Sequence, residues 1–369
     1  MTPASDRACM ARALRLAARG LATTTPNPRV GCVLVRHGEV VGEGWHRKAG
    51  GPHAEVEALR AAGERARGAT AYVTLEPCSH HGRTPPCADA LVEAGVVRVV
   101  AAMTDPNPLV SGRGLDRLRA AGIEVTSGLL ADEAHELNIG FVSRMTRGTP
   151  WLRIKIAATL DGKTALPNGA SQWITGPEAR RDGHRWRARS CAVMTGIGTL
   201  RDDDPRLTVR DVPATRQPLR IVVDSRLRMP VTARILEGGG VVVATATDDV
   251  AKARALTDAG AEVWTLPDSA GKVDLAALAR RLGERQTNEV LVEAGINLHS
   301  ALVAAGAVDE FLFYLAPRLL GDASRGMLRL PEGLAVDDMP ALAIHDVKRF
   351  GPDFRLRARF APTPSRADG

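Results

Sequence analysis

His53-Ala54-Glu55, Pro77-Cys78 and Pro86-Cys87 are the residues of this chain whose types and spacing point most directly to chemistry. One imidazole and two thiolates make three corners of a tetrahedral zinc site and leave the fourth for water. Zinc lowers the pKa of such a water to roughly 7, which provides hydroxide at neutral pH. Hydrolysing an amidine-like C–NH2 bond also requires a proton to move from water to a ring nitrogen and on to departing ammonia. Glu55, two residues from the imidazole, can carry that proton without ligating the metal. A structural zinc would instead need a fourth protein ligand, and His80 or His81, among the eight residues separating the cysteines, could provide it.

The second half offers phosphate chemistry. No Gly-x-Gly-x-x-Gly follows a strand there, so the Rossmann fingerprint is absent. Val290 to Glu293 reads as a buried strand that passes through Ala294-Gly295 into a helix containing Asn297 and His299, and the first N–H groups of such a helix can hold a pyrophosphate. Gly196-Ile197-Gly198-Thr199 stands at the end of another strand-like run. Residues 180–189 hold five Arg and one Asp on a helix after Pro177, and Arg180, His184 and Arg187 share one face. That face is either a phosphate clamp or solvated; Arg187 is assigned to the clamp and most of the other Arg to solvent.

These groups need elements to hold them. Apolar spacing gives a helix over 5–19, a hairpin of Val30–Val35 and Val40–Trp45 about His37-Gly38, a helix from Ala54 to Arg67 and a strand at Ala69–Leu75. Helix 88–94 feeds strand Val96–Ala101, helix 113–121 feeds strand Ile123–Val125, and a last helix spans 130–146. Gly148-Thr149-Pro150 stops that helix, and the domains are set at 1–147 and 148–369. The second domain has strands at Trp151–Ala158, Cys191–Met194, Leu219–Val223, Gly240–Thr245, Glu262–Leu266 and Val290–Glu293, several of them separated by helices. Phe311–Leu315, Leu342–Val347 and Phe354–Phe360 follow without a strong intervening helix. The expected fold is α/β, with a mostly parallel sheet edged by antiparallel C-terminal strands.

Composition excludes several alternatives. The 369 residues suit two or three domains, and 44% hydrophobic with 25% charged residues rules out disorder, collagen and coiled coil. No apolar run approaches the roughly 18 residues of a membrane span, and Asp6 with three Arg makes the first twenty residues an amphipathic helix rather than a signal peptide. A cytoplasmic protein is expected. Five cysteines, an odd number, suit metal binding or free thiols better than a disulfide framework. The net charge of +7 divides almost evenly between the halves, with no basic tail, so no nucleic-acid partner is expected. The local exception is the Arg-rich run at 180–189.

The deaminase-type site can be compared with zinc nucleobase deaminases, whose cysteine ligands are usually two residues apart. The longer spacing here comes with PNPRVGCVLV (Pro26–Val35), GPHAEVEAL (Gly51–Leu59), YVTLEPCSHHGRTPPC (Tyr72–Cys87) and DPNP (Asp105–Pro108), and with these motifs the chain resembles the bifunctional riboflavin-biosynthesis family. Ile154 to Lys163, Ser171 to Thr175, Asp203 to Arg210 and Glu293-Ala294-Gly295 resemble that family's reductase half. The resemblance implies a cytidine-deaminase-like domain followed by a dihydrofolate-reductase-like domain. It implies zinc ligands His53, Cys78 and Cys87, with Glu55 as proton shuttle. The implied substrate is a diaminopyrimidine carrying a phosphoribosylamino group, deaminated to the uracil and then reduced by NADPH from ribosyl to ribityl.

A phosphorylated ribose needs cationic and hydrogen-bonding groups near the metal, which His80 and Arg83 offer, and the resemblance adds Asn27, His46, Asp105 and Asn107. NADPH contacts implied in the same way are Ala157, Trp173, Thr199, Asp203, Ser225, Gly295, Ile296, Asn297, Leu298, His299, Ser300 and Ala301. Substrate contacts are Ser171, Arg187, Leu207, Arg210 and Glu293. Lys155, Asp203 and Glu293 all remain candidates for the proton donor in reduction, and Trp173 is equally readable as a core aromatic. The expected partner is a small phosphorylated pyrimidine, with no membrane contact; a homo-oligomer, dimer or tetramer, is expected. Two other readings use the same residues: a nucleoside or tRNA deaminase with an unrelated appendage, and an RNA-binding module with a structural zinc. Metal removal separates a structural from a catalytic site.

Overall fold

The computed structural model describes residues 3–79, 86–108, 110–333, 335 and 338–362. The chain divides into two compact units, Met1–Thr149 and Pro150–Gly369.

The first unit runs α1 (Pro3–Ala17), β1 (Gly31–Arg36), β2 (Glu39–Trp45), α2 (Ala54–Ala62), β3 (Thr70–Val73), α3 (Cys87–Glu93), β4 (Arg98–Ala101), α4 (Arg113–Ala120), β5 (Glu124–Ser127), α5 (Ala131–Leu137) and α6 (Ile139–Arg147). Its sheet has the order β2-β1-β3-β4-β5, antiparallel up to β3 and parallel beyond it. Successive strand residues point to opposite faces. Cys32, Leu34, Ala71 and Val99 therefore pack with Ala58, Leu91 and Leu118 from α2, α3 and α4. Val33, Val35, Tyr72 and Val100 pack with Met10, Leu16 and Ala134 from α1 and α5.

The seating of α2 decides where the metal residues stand. A Cβ added at Gly44 would lie 2.3 Å from the carbonyl oxygen of Ala54, and one at Gly42 would lie 2.3 Å from that of Ala58. Bare backbone on β2 thus lets α2 lie directly against it, fixing the first turn that begins after His53 and contains Glu55.

The single helix expected over 130–146 is broken. Asn138 lies between α5 and α6, fully buried. Its Oδ1 accepts the Arg29 N–H at 2.7 Å and its Nδ2 donates to the Arg29 carbonyl at 2.9 Å. An asparagine that bonds distant backbone competes with helix continuation. The strand expected at 123–125 lies at Glu124–Ser127.

The second unit contains β6 (Trp151–Thr159), β7 (Lys163–Ala165), α7 (Pro177–Arg189), β8 (Ala192–Gly196), α8 (Ile197–Asp203), β9 (Leu219–Val223), β10 (Val241–Thr245) and α9 (Val250–Asp258). β11 (Ala261–Thr265), α10 (Leu275–Glu284), β12 (Glu289–Val292), α11 (Ile296–Ala304), β13 (Glu310–Ala316), β14 (Arg325–Gly326), β15 (Leu342–Phe350) and β16 (Asp353–Phe360) complete it. The nine-stranded sheet has the order β11-β10-β9-β8-β12-β6-β13-β16-β15. It is parallel through β13 and antiparallel at β16 and β15, as the C-terminal runs suggested. The small β7–β14 ladder was not legible, since two- and three-residue strands carry no periodicity.

On one face of β6, Leu152, Ile154, Ile156 and Ala158 enter an apolar core. Under α7 on the other face sits a buried ionic cluster in which Arg153 pairs with Glu310 and, at 3.1 Å, with Glu289. Arg357 and Arg359 also bond Glu310, and Arg189 of α7 bonds Glu289. Buried charges persist where partners compensate them in this way.

Candidate active sites

Folding brings the three expected metal residues together. His53 Nδ1 lies 3.2 Å from Cys87 Sγ and 3.6 Å from Cys78 Sγ, and the three ligand atoms fall within 4.8 Å of one another. Ligands on a tetrahedral zinc at 2.0–2.3 Å stand roughly 3.5–3.8 Å apart, so the trio fits that ion. Among the described residues no fourth His, Cys, Asp or Glu joins it. The side-chain hydrogen bond with Cys87, helped by His53, lowers the Cys78 thiol to about 4, so the array favours a thiolate. Burial pushes the Glu55 carboxyl up to about 7 against the pull of His53, and its side chain contacts Cys87.

The pocket wall is a chain of hydrogen bonds. His46 Nδ1 is 3.0 Å from the Pro52 carbonyl, which only accepts, so Nε2 is left to accept from Asn27 Nδ2 at 3.1 Å. Burial lowers the His46 pKa and keeps the ring neutral; its centroid lies 5.5 Å from that of His53, edge-on. Asp105 is buried and accepts the Asn107 N–H at 2.8 Å. His80 and Arg83, assigned to the substrate phosphate, lie outside the described residues, as does His81.

In the second unit the residues expected to meet substrate converge on Glu293. Lys155 Nζ is 3.4 Å from Glu293 Oε2, and Arg187 grips the same carboxylate with Nε and Nη2, the latter at 3.0 Å. Burial alone would raise the Glu293 carboxyl, but Arg187 and Lys155 outweigh it and hold it well below the usual carboxylate range. An acid that stays ionised donates no proton at neutral pH, so Glu293 drops out as the donor and Lys155 and Asp203 remain. Partial burial, with Asp202 adding to it, raises the Asp203 carboxyl, which accepts from Gln172 at 3.5 Å.

The clamp formed by Arg180, His184 and Arg187 does not survive as a set of available cations. Arg180 caps the Thr175 carbonyl at 2.7 Å and lies over the Trp173 ring at 4.6 Å. Burial and the nearby Arg187 push His184 down to about 4, so it is neutral, and its Nδ1 accepts the Arg210 N–H at 3.3 Å. Arg187 is spoken for by Glu293. Trp173 is 60% exposed, which removes it from the core and leaves its face available to a ligand.

The residues expected at the cofactor gather at the carboxyl ends of the parallel strands. Gly295 caps α11, and a Cβ on it would lie 3.7 Å from Thr199 Oγ1 at the start of α8. Leu298 packs against Gly196. His299 is buried, with Nε2 accepting the Ala294 N–H at 3.3 Å. Asn297 and Ser300 hold Arg329 through Oδ1 at 3.2 Å and Oγ at 2.8 Å, while Ile296 receives the Ser300 hydroxyl. Ala301 is exposed on α11 and Ala157 half-buried on the Lys155 face of β6. Ser225, beyond β9, accepts the Val273 N–H at 3.2 Å. Ser171 is half-buried before Trp173, and Leu207 is buried with a positive φ of 52°. Sequence reasoning missed Glu76 and Asn138, because a lone carboxylate after a strand and an asparagine in a helical pattern have no spacing partner.

A family model described as the cytidine and deoxycytidylate deaminase zinc-binding region matches residues 3–103, and one described as the RibD C-terminal domain matches residues 150–356. Riboflavin biosynthesis protein RibD of Escherichia coli strain K12 is 50% identical over 363 residues, covering 95% of this chain and 98% of that relative. The solved structure of Acinetobacter baumannii RibD, form 1, is 45% identical with a TM-score of 0.91, covering 97% of this chain and 99% of that one. A Thermotoga maritima diaminohydroxyphosphoribosylaminopyrimidine deaminase/5-amino-6-(5-phosphoribosylamino)uracil reductase is 34% identical with a TM-score of 0.86, covering 97% and 99%.

Proposed function

This chain belongs to the RibD family of bifunctional riboflavin-biosynthesis proteins, and from that premise we propose which residues do the work of each half. The protein is a zinc-dependent deaminase joined to an NADPH-dependent reductase. Residues 1–147 convert 2,5-diamino-6-(5-phosphoribosylamino)pyrimidin-4(3H)-one to 5-amino-6-(5-phosphoribosylamino)uracil, and residues 148–369 reduce the ribosyl group of that product to ribityl. The observation carrying the first step is the His53–Cys78–Cys87 trio with buried Glu55 beside it.

Zinc held by that trio supplies a water acidic enough to react at neutral pH. Glu55 takes the proton, passes it to the ring nitrogen and then delivers one to the departing ammonia, a role suited to a carboxyl poised near neutrality. Asn27, His46, Asp105 and Asn107 orient the pyrimidine, and His80 with Arg83 receive the phosphate.

NADPH supplies hydride to the sugar carbon. Its phosphates meet the α11 N-terminus, where Gly295 and the following N–H groups lack helical partners. Thr199, Asp203, Ser225, Trp173, Ala157 and the rest of the Ile296–Ala301 turn line the cofactor. Lys155 donates the proton that completes reduction. Glu293, as an anion, orients Lys155 and Arg187 toward a substrate also met by Ser171, Leu207 and Arg210.

The protein works as a homo-oligomer in the cytoplasm. β15 is an outermost strand with Ile344 59% and Val347 57% exposed, and an apolar strand edge invites pairing with a second copy. Among the described residues no helix is long and apolar enough to cross a membrane, and the five free cysteines suit a reducing compartment.

The deciding experiment gives zinc-loaded protein the diaminopyrimidine phosphate with and without NADPH. Ammonia is expected in both cases, and NADPH oxidation only after deamination. A chelator should stop ammonia release while protein supplied with the uracil product still oxidises NADPH. Failure of the uracil product to oxidise NADPH would remove the reductase half of the reading.

A further inference from the structure

We infer that Glu76 is a positioning residue for deamination, a buried anion that pins the segment bearing Asp105 and Asn107 to the metal-binding turn; this rests on the reading of those two residues as substrate contacts. Glu76 follows β3, is 3% exposed and stands two residues before the ligand Cys78. Its own N–H donates to the Met103 carbonyl at 2.9 Å, which brings the ends of β3 and β4 together.

The carboxylate then collects three peptide donors. Oε2 accepts the Asp105 N–H at 3.0 Å and the Gly112 N–H at 2.9 Å, and Oε1 accepts the Gly114 N–H at 2.8 Å. One oxygen therefore fastens both ends of the 105–112 segment. Inside it, Asp105 Oδ1 takes the Asn107 N–H at 2.8 Å, and the Asn107 carbonyl takes the Val110 N–H at 2.9 Å. Converging N–H groups make an anion-binding concavity, and here a side chain fills it.

The contact also reaches the metal turn. A Cβ at Gly114 would lie 1.9 Å from the carbonyl oxygen of Pro77, the residue between Glu76 and Cys78. The start of α4, the 105–112 segment and the cysteine turn are thus one joined piece. Replacing Glu76 by Gln keeps the shape but puts an amide N–H2 against a peptide donor, so at least one end of the segment is released. Asp105 and Asn107 then lose their fixed approach to substrate while His53, Cys78 and Cys87 keep theirs.

The test compares Glu76→Gln, Asp105→Asn and the double variant in the full chain, measuring zinc content, ammonia release and reduction of the uracil product. Glu76→Gln is expected to raise the deaminase KM about tenfold with kcat changed less than about threefold, zinc near one per chain and reduction unchanged. Added to Asp105→Asn, it should raise KM by less than about twofold, because both act through the same segment. A normal KM in Glu76→Gln beside an impaired Asp105→Asn would overturn the inference and leave the substrate reading intact. A normal Asp105→Asn overturns both. Loss of zinc or of kcat at saturating substrate would show that Glu76 serves the metal turn instead. If Glu76→Gln fails to fold, Glu76→Asp, which keeps the anion but shortens its reach, carries the same measurements.

Discussion

At the residue scale, two buried carboxylates in one chain are driven in opposite directions. Glu55 is raised to about 7 because burial outweighs the pull of His53, whereas the two cations around Glu293 overcome its burial. The first suits a proton carrier and the second a fixed anion. Glu55→Gln should retain zinc and abolish deamination with reduction unimpaired; near-normal ammonia release would sink the shuttle role. His299 makes a second test. Burial, with Lys155 adding to it, lowers its pKa from 6.5 to about 4, so the folded state binds fewer protons than the unfolded one between those values. Its stabilisation is complete above pH 6.5 and lost as pH falls through 4, in total roughly 3 kcal/mol. Urea titrations at pH 7 and 4.5 should show a smaller acid loss in His299→Gln than in the wild type. The metal residues and Glu55 were legible because their spacing is a local pattern. Glu76 was not, since its three donors lie 29 to 38 residues away.

At the element scale, the position of α2 on β2 governs the deaminase. Gly44→Ala would force a methyl into the Ala54 carbonyl 2.3 Å away, moving the turn that carries His53 and Glu55. Such overpacking costs about 1–3 kcal/mol, and a lowered melting temperature with reduced zinc content and intact reductase activity is expected. Unchanged zinc content would mean that α2 adjusts without moving its first turn. Periodicity located α2, the β1–β2 hairpin and the strand–glycine–helix entry to α11 from sequence. It carried one helix across Asn138 because the apolar spacing continues there, while the competing bond to Arg29 comes from a residue 109 positions away.

At the scale of the whole molecule, the basic balance is spread through structural pairs. Of the Arg-rich run on α7, Arg187 is bound to Glu293, Arg189 to Glu289, and Arg180 lies over Trp173. A local cationic cluster in sequence is thus no cationic surface in the fold. The exposed apolar edge at β15 bears on assembly. Ile344→Asp with Val347→Asp should shift the mass measured by light scattering toward the monomer while ammonia release continues; an unchanged mass would place the subunit contact elsewhere.

The sequence by itself determined the metal trio, the proton carrier, two successive catalytic units and a parallel sheet with antiparallel edges, because each is written in residue type and short-range spacing. Only the tertiary structure decided that Glu293 stays ionised, that Arg187 and His184 are not free cations, that Trp173 faces outward and that Glu76 gathers a loop. Those outcomes depend on burial and on fields from residues more than a hundred positions apart, as Lys155 and Glu293 are, and no local spacing records them.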